Sequence, residues 1–159
     1  MQYEILMDKK ENPRKCTILP QKARQDFKIR YFQRQAPIPA FSAALLLHID
    51  GECLSKLGKE KLDSVALIDC NWRKVEGALA RVARPLPRLA RIPDGFVTAY
   101  PRRNKEGNDP EAGLATIEAL FIAAAFLGNW DESLLDKYHF QNSFLEINRE
   151  IFKRFGLKK

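Results

Sequence analysis

The run Val65-Ala66-Leu67-Ile68 stops abruptly at Asp69, and Cys70-Asn71-Trp72 follows before the pattern changes. From there Val75, Ala78, Leu79 and Val82 recur at i, i+3, i+4 and i+7, the spacing of one helix face. A continuous apolar run bounded by polar residues suits a central parallel strand covered on both faces. The whole stretch therefore reads as strand, tight turn, helix, with Pro85 and Pro87 ending the helix.

Working outward, the same logic recurs. Tyr3 to Met7 reads as an opening strand, and Phe27 to Phe32 alternates as a half-buried one. Ala43 to Leu47 is a further apolar run, and Asp50-Gly51 predicts a turn after it. Ser55 to Lys61 predicts a short helix and Phe96 to Tyr100 another strand, before a loop from Pro101 to Gly113. Thr116 is the expected N-cap of an Ala-rich helix from Ile117 to about Leu127, with Glu118 in its first turn and Gly128 stopping it. Ser133 to Tyr138 and Phe144 to Phe155 complete the helices. Strands alternating with helices predict an α/β protein built on a mainly parallel sheet.

In such a sheet ligands bind at the carboxyl ends of the strands. That makes Asp69-Cys70-Asn71-Trp72 the candidate site: Asp69 as a general base, Trp72 and Val75 as walls of an apolar pocket. The alternative from spacing alone is that Asp69 caps the helix and Trp72 anchors the core. No glycine-rich phosphate loop, nucleophile elbow or Ser/His/Asp set is present. His48 and His139 read as structural. Cys16, Cys53 and Cys70 are odd in number and widely spaced, so neither a disulfide framework nor a metal is expected.

The 159 residues fit one compact domain or two small lobes sharing an interface. No apolar stretch approaches the ~20 residues that span a bilayer. Met1 to Lys10 lacks the basic head and apolar run of a secretory signal, so the expected location is the cytoplasm. The net charge is +7, and the segment from Arg73 to Lys105 holds nine basic residues against Glu76 and Asp94, an excess as large as the whole chain's. Clustered positive charge of this kind fits a polyanionic partner.

Four stretches, in order, resemble the small-subunit ribosomal RNA aminocarboxypropyltransferases of archaea and eukaryotes. They are Lys15-Cys16-Thr17; Val65 to Trp72, similar to that family's apolar strand followed by Asp-Cys-Ser-Trp; Leu114-Ala115-Thr116-Ile117-Glu118-Ala119-Leu120; and Phe144-Leu145-Glu146-Ile147-Asn148. The chain departs from the family at Asn71, at Tyr100 to Lys105, and in extra residues from about Lys105 to Glu111.

The resemblance implies an N-terminal lobe (residues 1–60) followed by a SPOUT-like lobe (61–159) whose C-terminal segment threads a trefoil knot. It implies S-adenosylmethionine as co-substrate and transfer of its aminocarboxypropyl group to N3 of a uridine or modified pseudouridine in small-subunit rRNA, free or in a pre-ribosomal particle. By the same resemblance Trp72 walls the methyl pocket, Val75 and Ile68 lie beside it, and Thr17 contacts the ribose. Backbone around Leu46 and Leu47, Val97 and Thr98, and Ala115 and Thr116 holds adenosine, and Asp69 sits near the reacting atoms. Arg73, Lys74, Arg81, Arg84, Arg102 and Arg103 are expected to meet RNA phosphates, and the protein is expected to act as a monomer without a membrane. Three alternatives stay open: a transfer-RNA uridine aminocarboxypropyltransferase, a knotted RNA methyltransferase, and a non-catalytic RNA-binding assembly factor.

Overall fold

A computed structural model describes residues 1–10, 12–33, 35–57, 61–101 and 113–157. Five parallel strands form one sheet in the order β2-β1-β4-β3-β5. They are β1 (Gln2–Asp8), β2 (Phe27–Phe32), β3 (Leu45–Cys53), β4 (Ser64–Asp69) and β5 (Arg88–Arg91). The helices are α1 (Trp72–Leu79), α2 (Thr116–Phe126), α3 (Gln141–Ile147) and α4 (Arg149–Arg154). Strands from residues 1–60 and from residues 61–159 thus share the sheet, and β1 pairs directly with β4.

Alternation sorts the side chains into two cores. Tyr3, Ile5, Met7, Leu45, Val65 and Ala90 face α2 and the C-terminal helices, where Phe121, Phe144 and Phe152 close the layer. Leu6, Phe32, Leu46, Ala66 and Ile68 face the other way, onto Ala78, Leu79 and Val82. α2 is buried all along Ile117 to Ala125 because it lies between the sheet and the C-terminal aromatic cluster. Its alanines let both neighbours approach closely. Edge-on contacts of Phe121 with Trp130, Phe144 and Phe152 pin that outer layer, an arrangement aromatic pairs favour over face-to-face stacking.

Three expectations need correction. Asp50-Gly51 does not turn the chain: β3 continues to Cys53, and its register against β5 shifts between Leu47 and Glu52. The glycine serves close approach, since a Cβ at Gly51 would lie 2.3 Å from the Ala90 backbone nitrogen. The excursion leaves Ile49 79% exposed. Phe96 to Tyr100 is not a strand; its backbone is satisfied by buried side chains described below, and the fifth strand is Arg88–Arg91 instead. The last helix is two, broken at Asn148, whose amide bonds the Phe144 carbonyl and reaches outside the helix. A lesser difference is a single 3₁₀ turn at Glu132–Leu135 in place of the expected helix; a further 3₁₀ turn spans Leu54–Lys56, and residues 58–60 of the helix expected over Ser55 to Lys61 lie outside the described residues. No helix among the described residues is long and apolar enough to cross a membrane.

Candidate functional site

The connections decide where a crevice opens. From β1 the chain runs outward to edge strand β2, whereas from β4 it runs through α1 the opposite way to β5. β1 and β4 are neighbours, so their carboxyl ends flank a topological switch point, where open α/β sheets bind ligands. Asp69 ends β4 there, in register with Met7 of β1.

Asp69 does not cap α1. Asn71 does: its Oδ1 accepts from the Arg73 N–H at 3.1 Å, which leaves the Asp69 carboxylate to face the crevice. There Thr116 Oγ1 donates to Oδ1 at 2.7 Å and the Cys16 thiol donates to Oδ2 at 3.6 Å. Burial, the nearby Asp69 charge and its hydrogen bond push the Cys16 thiol above its usual pKa, so it stays a protonated donor near neutrality. Thr116 is the first residue of α2 rather than its cap; Ala115 holds the cap position and frees the hydroxyl for Asp69. Thr17 Oγ1 accepts from the Ile117 N–H at 3.3 Å, keeping its own hydroxyl proton to donate. Trp72 is 47% exposed, so it is no core anchor; one face carries the Arg73 guanidinium, 5.5 Å from the ring centroid.

The far wall depends on Glu118, fully buried one turn into α2. Its Oε2 accepts from the Ala115 N–H and the Thr98 hydroxyl, both at 2.7 Å. Its Oε1 accepts from the Ala99 N–H at 2.8 Å and the Tyr138 hydroxyl at 2.7 Å. One carboxylate thus joins the start of α2, the 97–100 segment and the C-terminal region. Asn148 completes the clamp by pairing both backbone groups of Val97 at 2.8 Å. Tyr100 donates its hydroxyl to the Lys15 carbonyl at 3.2 Å, tying the same segment to the loop after β1. The sequence shows Glu118 as a helix-dipole partner and a motif residue, and Asn148 as a motif residue alone. Apart from the Ala115 N–H, three residues before Glu118, the partners lie 19 to 51 residues away and leave no spacing signal.

Of the other residues read from the sequence, Leu46 and Ile68 point into the α1-side core, so only their backbones can meet a ligand. Leu47, Val75 and Thr98 are half-buried, Ala115 is buried and Val97 is exposed. Lys74 pairs with Asp8 at 2.6 Å, and Arg81 ties down the Gln33 and Ala36 carbonyls at 2.7 and 2.9 Å. Both are engaged within the protein, while Arg73 and Arg84 are exposed. Arg102 and Arg103 lie outside the described residues.

His48 braces the β3 excursion, its Nε2 2.8 Å from Glu76 Oε1 and its Nδ1 accepting from the Asp50 N–H. The ligand atoms of His48, Asp50 and Glu76 fall within 4.8 Å of one another, but both ring nitrogens already have protein partners. His139 is exposed and packs edge-on against Phe140. Two surface concavities lie away from the crevice: one of about 250 Å³ beside Trp130 and Arg149, and one of about 310 Å³ at the opposite strand ends, beside Glu4 and Ser64.

No family model matches the chain. A 16S rRNA aminocarboxypropyltransferase of Halobacterium salinarum is 29% identical over 99 residues, which cover 59% of this chain and 53% of that protein. The chain thus aligns with about half the length of that relative. The solved SAM-dependent rRNA:acp-transferase Tsr3 from Vulcanisaeta distributa shares the fold, with a TM-score of 0.65 at 20% identity over 97% of this chain and 82% of that one. Fold and crevice together define a parallel-sheet α/β protein whose candidate site lies at the switch point of its strands. The aligned relative is thus similar to the family that the four motifs resemble, and the solved structure shares the fold.

Proposed function

We propose that the chain binds S-adenosylmethionine in the β1/β4 crevice and transfers its aminocarboxypropyl group to N3 of a uridine or modified pseudouridine in small-subunit rRNA, releasing methylthioadenosine. One observation carries this reading. Cys16, Thr17, Asp69 and Thr116, drawn from three of the four motifs, come together at the carboxyl edge of the sheet, with Trp72 three residues past Asp69 at the start of α1. The donor set also suits the ligand: a carboxylate for a sulfonium, an indole face for its methyl, hydroxyls for a ribose and irregular backbone for an adenine.

When bound, the co-substrate supplies a positively charged sulfur with three carbons open to attack, and positioning selects among them. Trp72 and Val75 shield the methyl and leave the aminocarboxypropyl arm toward the RNA. Asp69 accepts or relays the N3 proton, held in orientation by Thr116 and Cys16. Thr17 contacts the ribose, and backbone at Leu46–Leu47, Val97–Thr98 and Ala115–Thr116 holds adenosine. The reading includes the SPOUT-like assignment with its trefoil knot, the lobe boundary near residue 60, a monomer acting in the cytoplasm, and a pre-ribosomal substrate. Arg73 and Arg84 meet RNA phosphates in it.

The test is a by-product assay with unmodified small-subunit RNA, read by mass spectrometry. Methylthioadenosine formed only with RNA is expected. S-adenosylhomocysteine instead would make the protein a methyltransferase and refute the Trp72 pocket. Replacing Trp72 with Ala should weaken cofactor binding in calorimetry.

A further inference from the structure

Cations outside the Arg73–Lys105 segment also border the crevice. The loop after β1 carries Lys9, Lys10, Arg14 and Lys15, all exposed, with Glu11 as the one acid in that loop. Lys9, Arg14 and Lys15 form no ion pair among the described residues, and Lys10 lies near Asp8, which already pairs with Lys74. The loop is fixed at both ends: the Lys9 N–H donates to the Phe32 carbonyl at 3.2 Å, and the Lys15 carbonyl accepts from Tyr100. It runs from the end of edge strand β2 to Cys16 against Asp69.

Tyr31 stands at the outer end of this path, 55% exposed. It pairs in register with Met7, which pairs with Asp69, so the three residues form one row across β2, β1 and β4. Partners in a parallel register point to the same sheet face, and two strand spacings place Tyr31 roughly 10 Å from Asp69 along that row. An exposed aromatic ring and four cations beside the candidate reaction centre match how proteins hold unpaired RNA, with bases on rings and phosphates on cations.

We propose that single-stranded RNA enters across this edge, with a base flanking the target stacked on Tyr31 and its phosphates on Lys9, Lys10, Arg14 and Lys15. The proposal rests on the functional reading above.

The test uses the full chain with a labelled uridine-rich single strand and a hairpin of equal length, titrated by anisotropy at several salt concentrations. Calorimetry with S-adenosylmethionine runs in parallel. Tyr31→Ala should weaken single-strand binding roughly ten-fold, with Tyr31→Phe retaining it. A Lys9→Gln, Lys10→Gln, Arg14→Gln variant should flatten the salt dependence by roughly two units of log–log slope, about 0.7 for each phosphate left without its cation. Cofactor affinity and melting temperature should not change in either variant. If the wild type binds cofactor and these variants bind the single strand as tightly as it does, the entry path is refuted and the functional reading stands. Equal or better binding of the hairpin refutes the stacked single strand. A wild type that binds neither cofactor nor RNA overturns the functional reading and this inference with it.

Discussion

Replacing Glu118 by glutamine changes one oxygen to an amide nitrogen and should destabilise the whole molecule. Each carboxylate oxygen accepts one backbone N–H and one hydroxyl: Ala115 and Thr98 on one, Ala99 and Tyr138 on the other. A hydroxyl can rotate to accept from the new amide, but a backbone N–H cannot. Whichever way the glutamine turns, its NH₂ faces a buried backbone donor and orphans it, at about 1–3 kcal/mol. The remaining bonds also lose their charge assistance, while an uncharged side chain is easier to bury. The net loss is about 2–3 kcal/mol, which for a chain of this size lowers the melting temperature by roughly 4–12 °C. Glu118→Ala orphans every donor and opens a cavity, so about 4–5 kcal/mol is expected, near the ceiling for single substitutions. Thermal and urea denaturation measure both, with exposed Glu150→Gln as a control whose midpoint should hardly move. A Glu118→Gln midpoint within error of wild type would refute the four-donor account.

Further expectations follow from other parts of the molecule. Gly51→Ala drives a Cβ into the Ala90 backbone, so the β3–β5 pairing should fail and the protein should lose cooperative melting; a well-folded variant would remove the close approach. Thr116→Val should leave the melting temperature nearly unchanged yet slow the proposed aminocarboxypropyl transfer, with Thr116→Ser restoring it, because the hydroxyl bonds Asp69; a valine variant with wild-type turnover counts against that role. Acid should destabilise the protein below about pH 4. Burial raises the pKa of Glu4 and of Asp8, but bonds from Ser42 and Ala43 and the Arg30 charge for the first, and bonds from Lys74 and Lys10 for the second, outweigh it, while Arg24 lowers Asp26 directly. Depressed folded values give stability that is full above the unfolded pKa and lost as pH falls through the folded one, so urea midpoints flat from pH 6 to 3 would contradict it. At the alkaline end burial pushes Tyr3 up to about 12, so stability should fall as pH rises past 10, where the unfolded tyrosine begins to ionise.

The central strand β4 was legible because burial on both faces leaves a continuous apolar run, Val65 to Ile68. The α1 face was legible from its period, and Asp69 from its place at a strand end. What was not legible was made by side chains acting at a distance. Phe96 to Tyr100 has strand-like composition, yet Glu118 and Asn148 supply its hydrogen bonds where a strand would have supplied them. Gly51 follows aspartate as in a turn, and only the nearness of β5 shows why it is glycine. Counting charges put Lys74 and Arg81 among the RNA contacts, whereas their partners, Asp8 and the Gln33 and Ala36 carbonyls, come from other parts of the chain. A one-dimensional reading finds periods and ends of runs; it does not find who is paired with whom.

The clamp of Asn148 on Val97 also sets a clock. Fifty-one residues separate the two, and Glu118 and Tyr138, which hold the same segment, are likewise made after it. At ordinary rates of synthesis a stretch of that length takes roughly 3–10 s to emerge. During that interval Asp69 and Trp72 already exist, but the wall opposite them has no fixed shape. A half-made chain can therefore carry the Asp69 carboxylate before the wall opposite it is in place.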